Sequence, residues 1–191
     1  MQSFKDILAQ YDHTIWLYMN VKWHNGFFDV VMPYLREQWF WAPLYLFLLI
    51  FMPAQFGRRA FLWCLAFLIC FAIGDQVSAH MIKPFMHRLR PCNDPNYQNL
   101  VHLLVPCGSG FSFPSSHATN HFAMGIFSAV TLQKYAKWIW PVAIFWAASI
   151  AYAQVYVGVH FPVDIFGGAL IGTAIGLVVG FVFNRFIKLR Q

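Results

Sequence analysis

Apolar residues in this chain fall into long runs, and most charges sit in the short stretches between them. A helix needs about 20 mainly apolar residues to cross the hydrocarbon core of a bilayer. Five segments come near that length: roughly 38–56, 59–82, 116–133, 138–156 and 162–184, the first of them trimmed by Pro43 and Pro53. The pattern predicts an all-α fold, a polytopic membrane bundle of five transmembrane helices.

The first 37 residues read differently. Phe4, Ile7, Leu8, Tyr11, Ile15, Tyr18 and Met19 form an apolar stripe at helical spacing, with Lys5, Asp6, Asp12 and His13 off it. That pattern suits an amphipathic helix lying in the membrane interface. A shorter amphipathic piece over 27–35 would lead into the first span. A sixth crossing in this region would have to carry Lys22, His24 and Asp29 through lipid. The expected organisation is a single domain, with interfacial helices over 1–37 and a transmembrane core over 38–191. No internal repeat or low-complexity tract divides it, and no secretory signal is expected, because Asp6 interrupts a start that lacks a basic segment.

Composition reinforces the membrane reading. Of 191 residues, 59% are hydrophobic and only 10% charged, which is too apolar for a soluble domain. The net charge of +6 contains no basic run, so nucleic acid is not an expected partner. Once the spans are drawn, Arg58 and Arg59, Lys134 and Lys137, and Arg185, Lys188 and Arg190 all fall on one side. The positive-inside rule makes that side cytoplasmic. The protein is expected in the cell (inner) membrane, with the loop over 83–115, the turn at His160 and the N-terminal helix outside. Trp16, Trp23, Trp39, Trp41, Trp138 and Trp140 lie near predicted boundaries, as in an interfacial aromatic belt.

Three stretches on the outer side carry candidate chemistry. In Lys83-Pro-Phe-Met-His-Arg-Leu-Arg90-Pro91, two cations seven residues apart share a helix face if the second span continues. Together they suit a phosphate; singly, they are also what snorkelling residues look like. In Phe113-Pro-Ser-Ser-His-Ala-Thr119, Ser115 and Ser116 stand where a loop becomes a helix, as caps or as part of an anion site, with His117 at its rim. From Gln154 to Asp164, the turn places Asp164 four residues after His160, able to hold the Nδ1 proton and leave Nε2 basic, or to serve as a buried structural pair.

Lys-x6-Arg-Pro, Pro-Ser-x-His and His-x3-Asp, in that order and beside these spans, resemble the type 2 phosphatidic acid phosphatase superfamily of membrane lipid phosphatases, whose soluble relatives include vanadium haloperoxidases. The match runs from Lys83 to Asp164. The resemblance implies that Lys83 and Arg90 grip phosphate oxygens, with Ser115, Ser116 and backbone N–H groups adding donors. His160 would attack phosphorus, Asp164 would orient it, and His117 would protonate the leaving oxygen and later activate water. No metal or cofactor is required by that chemistry, and Asp75, Asp94 and Asp164 do not resemble a two-metal cluster.

The sequence departs from the family pattern in two places. Ser116 stands where Gly is usual, and Ala153-Gln154 where Ser-Arg is usual. Loss of that arginine removes a phosphate-pocket cation, worth about ten- to a hundredfold in transition-state stabilisation. Gln154 can still donate a neutral hydrogen bond, and Arg88 or His87 is the expected source of compensating charge. By analogy within the family the favoured substrate is undecaprenyl diphosphate, converted to undecaprenyl phosphate. Phosphatidylglycerophosphate, phosphatidic acid and lipid A compete, as does a catalytically weak lipid-phosphate binder or transporter. Elsewhere, Asp75 is read as a structural hydrogen-bonding group, His121 as a packed residue rather than a zinc partner of His117, Cys92 and Cys107 as a possible disulfide, and Cys64 and Cys70 as core.

Overall fold

The computed structural model describes residues 4–189. Eight α-helices account for most of them: α1 Phe4–Trp16, α2 Gly26–Arg36, α3 Ala42–Phe56, α4 Arg59–Asp75, α5 Lys83–Met86, α6 Ser116–Leu132, α7 Ile139–Tyr156 and α8 Pro162–Phe186. A π-helical stretch, Gln76–Ile82, joins α4 to α5, and another, Leu17–Lys22, extends α1. No strand occurs among the described residues.

Four of the expected spans are long and apolar enough to cross a bilayer: Gln38–Phe56, Arg59–Asn93, Ile139–Tyr156 and Pro162–Phe186. The fifth, α6, has 17 residues and carries Thr119, Asn120, His121 and Thr131, all buried. It is the central helix, packed by α4, α7 and α8. A helix enclosed by others need not be apolar all round, because protein rather than lipid satisfies its polar groups. Trp63 does this for Thr131, donating its indole N–H to the hydroxyl at 2.7 Å.

The tightest packing is between α6 and α8. Gly168, Gly172, Gly176 and Gly180 repeat every fourth residue along one face of α8. A Cβ at Gly172 would sit 2.2 Å from the Thr119 carbonyl oxygen, and one at Gly176 2.6 Å from that of Ala123. Small residues at this spacing let two backbones approach closely, which drives helix association in membranes. The start of α6 is thereby locked beside the start of α8.

At the opposite end, Arg59 donates to the Ile187 carbonyl at 3.4 Å and Tyr135 to that of Leu189 at 2.9 Å. The turn between α3 and α4, the turn between α6 and α7, and the C-terminal residues therefore meet at one pole. The loop after α5, which leads to α6, lies at the other.

The N-terminal helix is amphipathic, as its spacing predicted. Its apolar stripe faces outward: Ile7, Leu8, Tyr11 and Ile15 are exposed. Its polar side is what contacts the protein, with Asp12 buried, and the adjoining Asn20 fully buried. Asn20 donates to the carbonyls of Tyr156 (2.7 Å) and His102 (2.8 Å) and accepts the His102 N–H. Trp16, expected in the aromatic belt, is instead fully buried beside Tyr97 and Phe161, whereas Trp23, Trp39 and Trp138 are exposed. Trp16 packs on the loop between α5 and α6 and on the turn before α8.

Candidate active site

The turn between α7 and α8 presents His160. Gly158 has φ +87°, and a Cβ there would meet Val101 at 2.5 Å, so the chain reverses at a position that only glycine fits. Pro162 then opens α8, and Asp164 accepts the Phe161 N–H at 2.8 Å, capping the helix. The Asp164 carboxylate also takes a bond from Ser112 Oγ (2.5 Å) and another from Arg88 Nη1 (2.8 Å), and its Oδ2 lies 3.4 Å from His160 Nδ1. Ser112 Oγ is itself 3.2 Å from that nitrogen. The imidazole is therefore held on its Nδ1 side, and Nε2 has no hydrogen bond within the described residues. Burial pushes the His160 pKa down to about 4, only partly offset by Asp164, so the ring is neutral at pH 7.

At the start of α6, Ser115 is the N-cap: its hydroxyl accepts the Ala118 N–H at 3.4 Å and its own N–H donates to the Asp164 carbonyl at 3.0 Å. Ser115 thus ties α6 to α8 with its backbone N–H. The N–H groups of Ser116 and His117 have no partner among the described residues and are free to meet an anion. The Ser116 hydroxyl receives a bond from Ser78 at 2.9 Å.

The cations come from the end of α4–α5 and the following loop. Lys83 and Arg90 are half-buried, interact electrostatically with each other, and lie close enough to His160 to act on it. Arg90 Nε donates to the Gly110 carbonyl at 2.9 Å, and Gly108 leaves room for its guanidinium. A Cys92–Cys107 disulfide, Cα atoms 6.0 Å apart, closes this loop.

Arg88 does not face the same task. One of its nitrogens bonds Asp164, another bonds Asp12, and its guanidinium lies over the Phe161 ring at 4.4 Å. His87, in left-handed conformation, packs edge-on to Phe111. Neither supplies free charge near Gln154, contrary to the sequence expectation. Gln154 is fully buried; its Oε1 accepts from Arg36 Nε at 3.4 Å, and its Nε2 has no partner among the described residues.

Beneath His117 a cavity of about 370 Å³ opens, lined by Ser116, His117, Asn120, Tyr45, Phe71 and Asp75 among others. Asp75 lines this wall, and among the described residues its side chain makes no hydrogen bond to a neighbouring helix, contrary to the structural role expected for it. Both ring nitrogens of His121 are engaged, one with Tyr45 OH (3.0 Å) and one with the His117 carbonyl (2.8 Å), so its packed role holds.

Sequence reasoning missed Ser112, Arg36 and Asp12. Ser112 lies one residue before the quoted second stretch. Asp12 and Arg36 belong to the N-terminal segment, where only long-range contact shows their use.

The sequence and the fold both have known counterparts. The PAP2 superfamily model matches residues 61–188. A lipid A 4'-phosphatase of Bacteroides thetaiotaomicron is 30% identical over 94% of this chain and 80% of its own length. An undecaprenyl-diphosphatase of Sulfolobus acidocaldarius is 31% identical over 81% of this chain and 68% of its own. The crystal structure of a transmembrane PAP2 type phosphatidylglycerolphosphate phosphatase from Bacillus subtilis superposes with a TM-score of 0.77 over 97% of this chain and 90% of that one, at 24% identity, a likeness of fold. A family match that takes in all three stretches of the site, together with relatives aligned over most of their length, places this chain in the PAP2 superfamily as an integral membrane phosphatase acting on lipid phosphates.

Proposed function

We propose that this protein removes a terminal phosphate from a membrane lipid through a phosphohistidine intermediate on His160. The observation that carries this reading is the state of His160: Nδ1 is held by Asp164 and Ser112, Nε2 is unspent, and Lys83 and Arg90 act on the same ring. Nε2 attacks phosphorus in line; the P–O bond to the lipid breaks and His117 gives the leaving oxygen a proton. Water then attacks the phosphoryl group, His117 takes the proton back, and the P–N bond breaks to release phosphate. Lys83, Arg90 and the Ser116 and His117 N–H groups hold the phosphoryl oxygens throughout.

Purified protein is expected to release phosphate from a lipid phosphate without added metal. His160→Ala should abolish release, and robust turnover in that variant would refute the mechanism.

The site is assigned to the extracytoplasmic face of the cell membrane. The basic residues Arg58, Arg59, Lys134 and Lys137 gather at the other pole, and the Cys92–Cys107 bridge suits an oxidising compartment. Helix α1 is assigned to the interface, with Ile7, Leu8, Tyr11 and Ile15 toward lipid.

For the lipid, lipid A is the first reading. Lipid A 4'-phosphatases of B. thetaiotaomicron and Porphyromonas gingivalis align over 94% and 97% of this chain, and so include the N-terminal layer that braces the site. Undecaprenyl diphosphate is the second, favoured by the Sulfolobus relative. Phosphate release from both lipids, tested in parallel, separates them by kcat/KM.

A further inference from the structure

Resting on the phosphatase reading, we infer that Arg36, at the end of α2, is a phosphate-binding residue and supplies the cation that Gln154 does not. Among the described residues the half-buried guanidinium has one hydrogen bond, from Nε to Gln154 Oε1 at 3.4 Å. Its two NH2 groups therefore keep their donors, in the fork that matches phosphate geometry. No carboxylate lies within salt-bridge distance of Arg36, Lys83 or Arg90 among the described residues.

Arg36 is nevertheless near enough to Arg90 and to His117 for their charges to interact. Burial also lowers its pKa, with only the exposed neighbour Glu37 in opposition. Arg36 and Lys83 each repel Arg90, which Asp164 offsets from beyond ion-pair distance, and an incoming phosphate dianion relieves that repulsion. The placement is not loose. Trp41 donates its indole N–H to the Leu35 carbonyl at 2.8 Å, and Met32 is buried against Tyr156 and Val157 of the adjoining helix end.

Gln154 completes the case. It comes from α7, is fully buried, and orients Arg36 through Oε1 while its Nε2 stays without a partner. An unpaired buried amide N–H is costly unless a ligand accepts it. Both donors, one charged and one neutral, then serve a single anion: the charge has moved from the helix that carries position 154 to the helix that precedes the first span.

The test uses full-length protein in detergent with two readouts, phosphate release from a lipid phosphate and competitive inhibition by inorganic phosphate. Arg36→Ala is expected to lower kcat/KM by about ten- to a hundredfold and to weaken phosphate inhibition by about tenfold or more. Arg36→Lys should retain part of both. The double variant Arg36→Ala, Gln154→Arg should recover both, which a merely structural Arg36 would not allow. Undiminished kcat/KM and phosphate inhibition in Arg36→Ala would overturn the assignment, as would a folded double variant with no recovery. If the wild type turns over no lipid phosphate, the phosphatase reading fails separately; binding of inorganic phosphate, followed by calorimetry, then decides Arg36 by the same loss and recovery.

Discussion

Asp12 accepts the backbone N–H of Val163 at 2.8 Å, although 151 residues separate them. The same carboxylate binds Arg88, which in turn binds Asp164. A chain of charge thus runs from the N-terminal helix to the group that aligns the nucleophile. Asp12→Ala strands the Val163 N–H and half of the Arg88 guanidinium, and should cost about 1–3 kcal/mol of stability. Thermal unfolding in detergent would register a lower midpoint, and turnover should fall with it; an unchanged midpoint would show the link to be incidental.

Ser112 bridges Asp164 and His160. In Ser112→Ala, Asp164 keeps the Phe161 and Arg88 bonds but holds the imidazole through one long contact. Turnover is expected to drop roughly tenfold, equivalent to about 1.4 kcal/mol in the barrier, with unfolding little changed. Comparison of kcat with KM locates the loss: it should fall on kcat.

The acid limit of activity follows from His160. Its neutral form attacks, and burial holds its folded pKa at about 4. In kcat/KM against pH, the loss due to this residue should therefore come as pH falls through about 4, not through the 6.5 of a free imidazole. Stability has the same sign. Between those two values the unfolded chain binds the extra proton, so this contribution is complete above pH 6.5 and declines until pH 4. An acid limb at 6.5 that disappears on removal of no other group would refute the assignment.

The glycines of α8 predict a contrast. Gly172→Ala places a methyl group 2.2 Å from the Thr119 carbonyl and must push α6 from α8, at a cost of about 1–3 kcal/mol. Gly26→Ala, where nothing lies within 4 Å, should leave stability unchanged. Unfolding midpoints of the two variants give the comparison, and equal values would contradict the close approach.

Reduction of Cys92–Cys107 opens a loop with a sequence separation of 15, worth about 3 kcal/mol in the chain-entropy account. Arg90 leans on Gly108 and Gly110, just beyond that loop. Reductant should lower both the unfolding midpoint and kcat/KM, and the Cys92→Ser, Cys107→Ser double variant should no longer respond to it.

The membrane core and three motif stretches were legible in the sequence because each is written locally. Apolar length marks a span, and Pro162 with Asp164 marks a helix start. What was not legible depends on distance in sequence. The stripe from Phe4 to Met19 read correctly as helical, yet its periodicity could not reveal that Asp12 and Trp16 would be drawn inward by Arg88 and by Tyr97. Arg88 was the natural source of charge for Gln154 because it lies in the first stretch, but Asp12 and Asp164 occupy it. The glycine repeat in α8 was visible as letters; its meaning required α6 alongside.

The N-terminal helix faces two ways, with Tyr11 outward and Asp12 inward on neighbouring positions. A rigid rod of this kind acts as a mechanical lever between its two sides. A change in how firmly the outward residues are seated is expected to reach the Arg88–Asp164 pair through Asp12. On the proposed interfacial placement of α1, turnover is expected to change with the chain length of the surrounding lipid, measured in bilayers of defined composition.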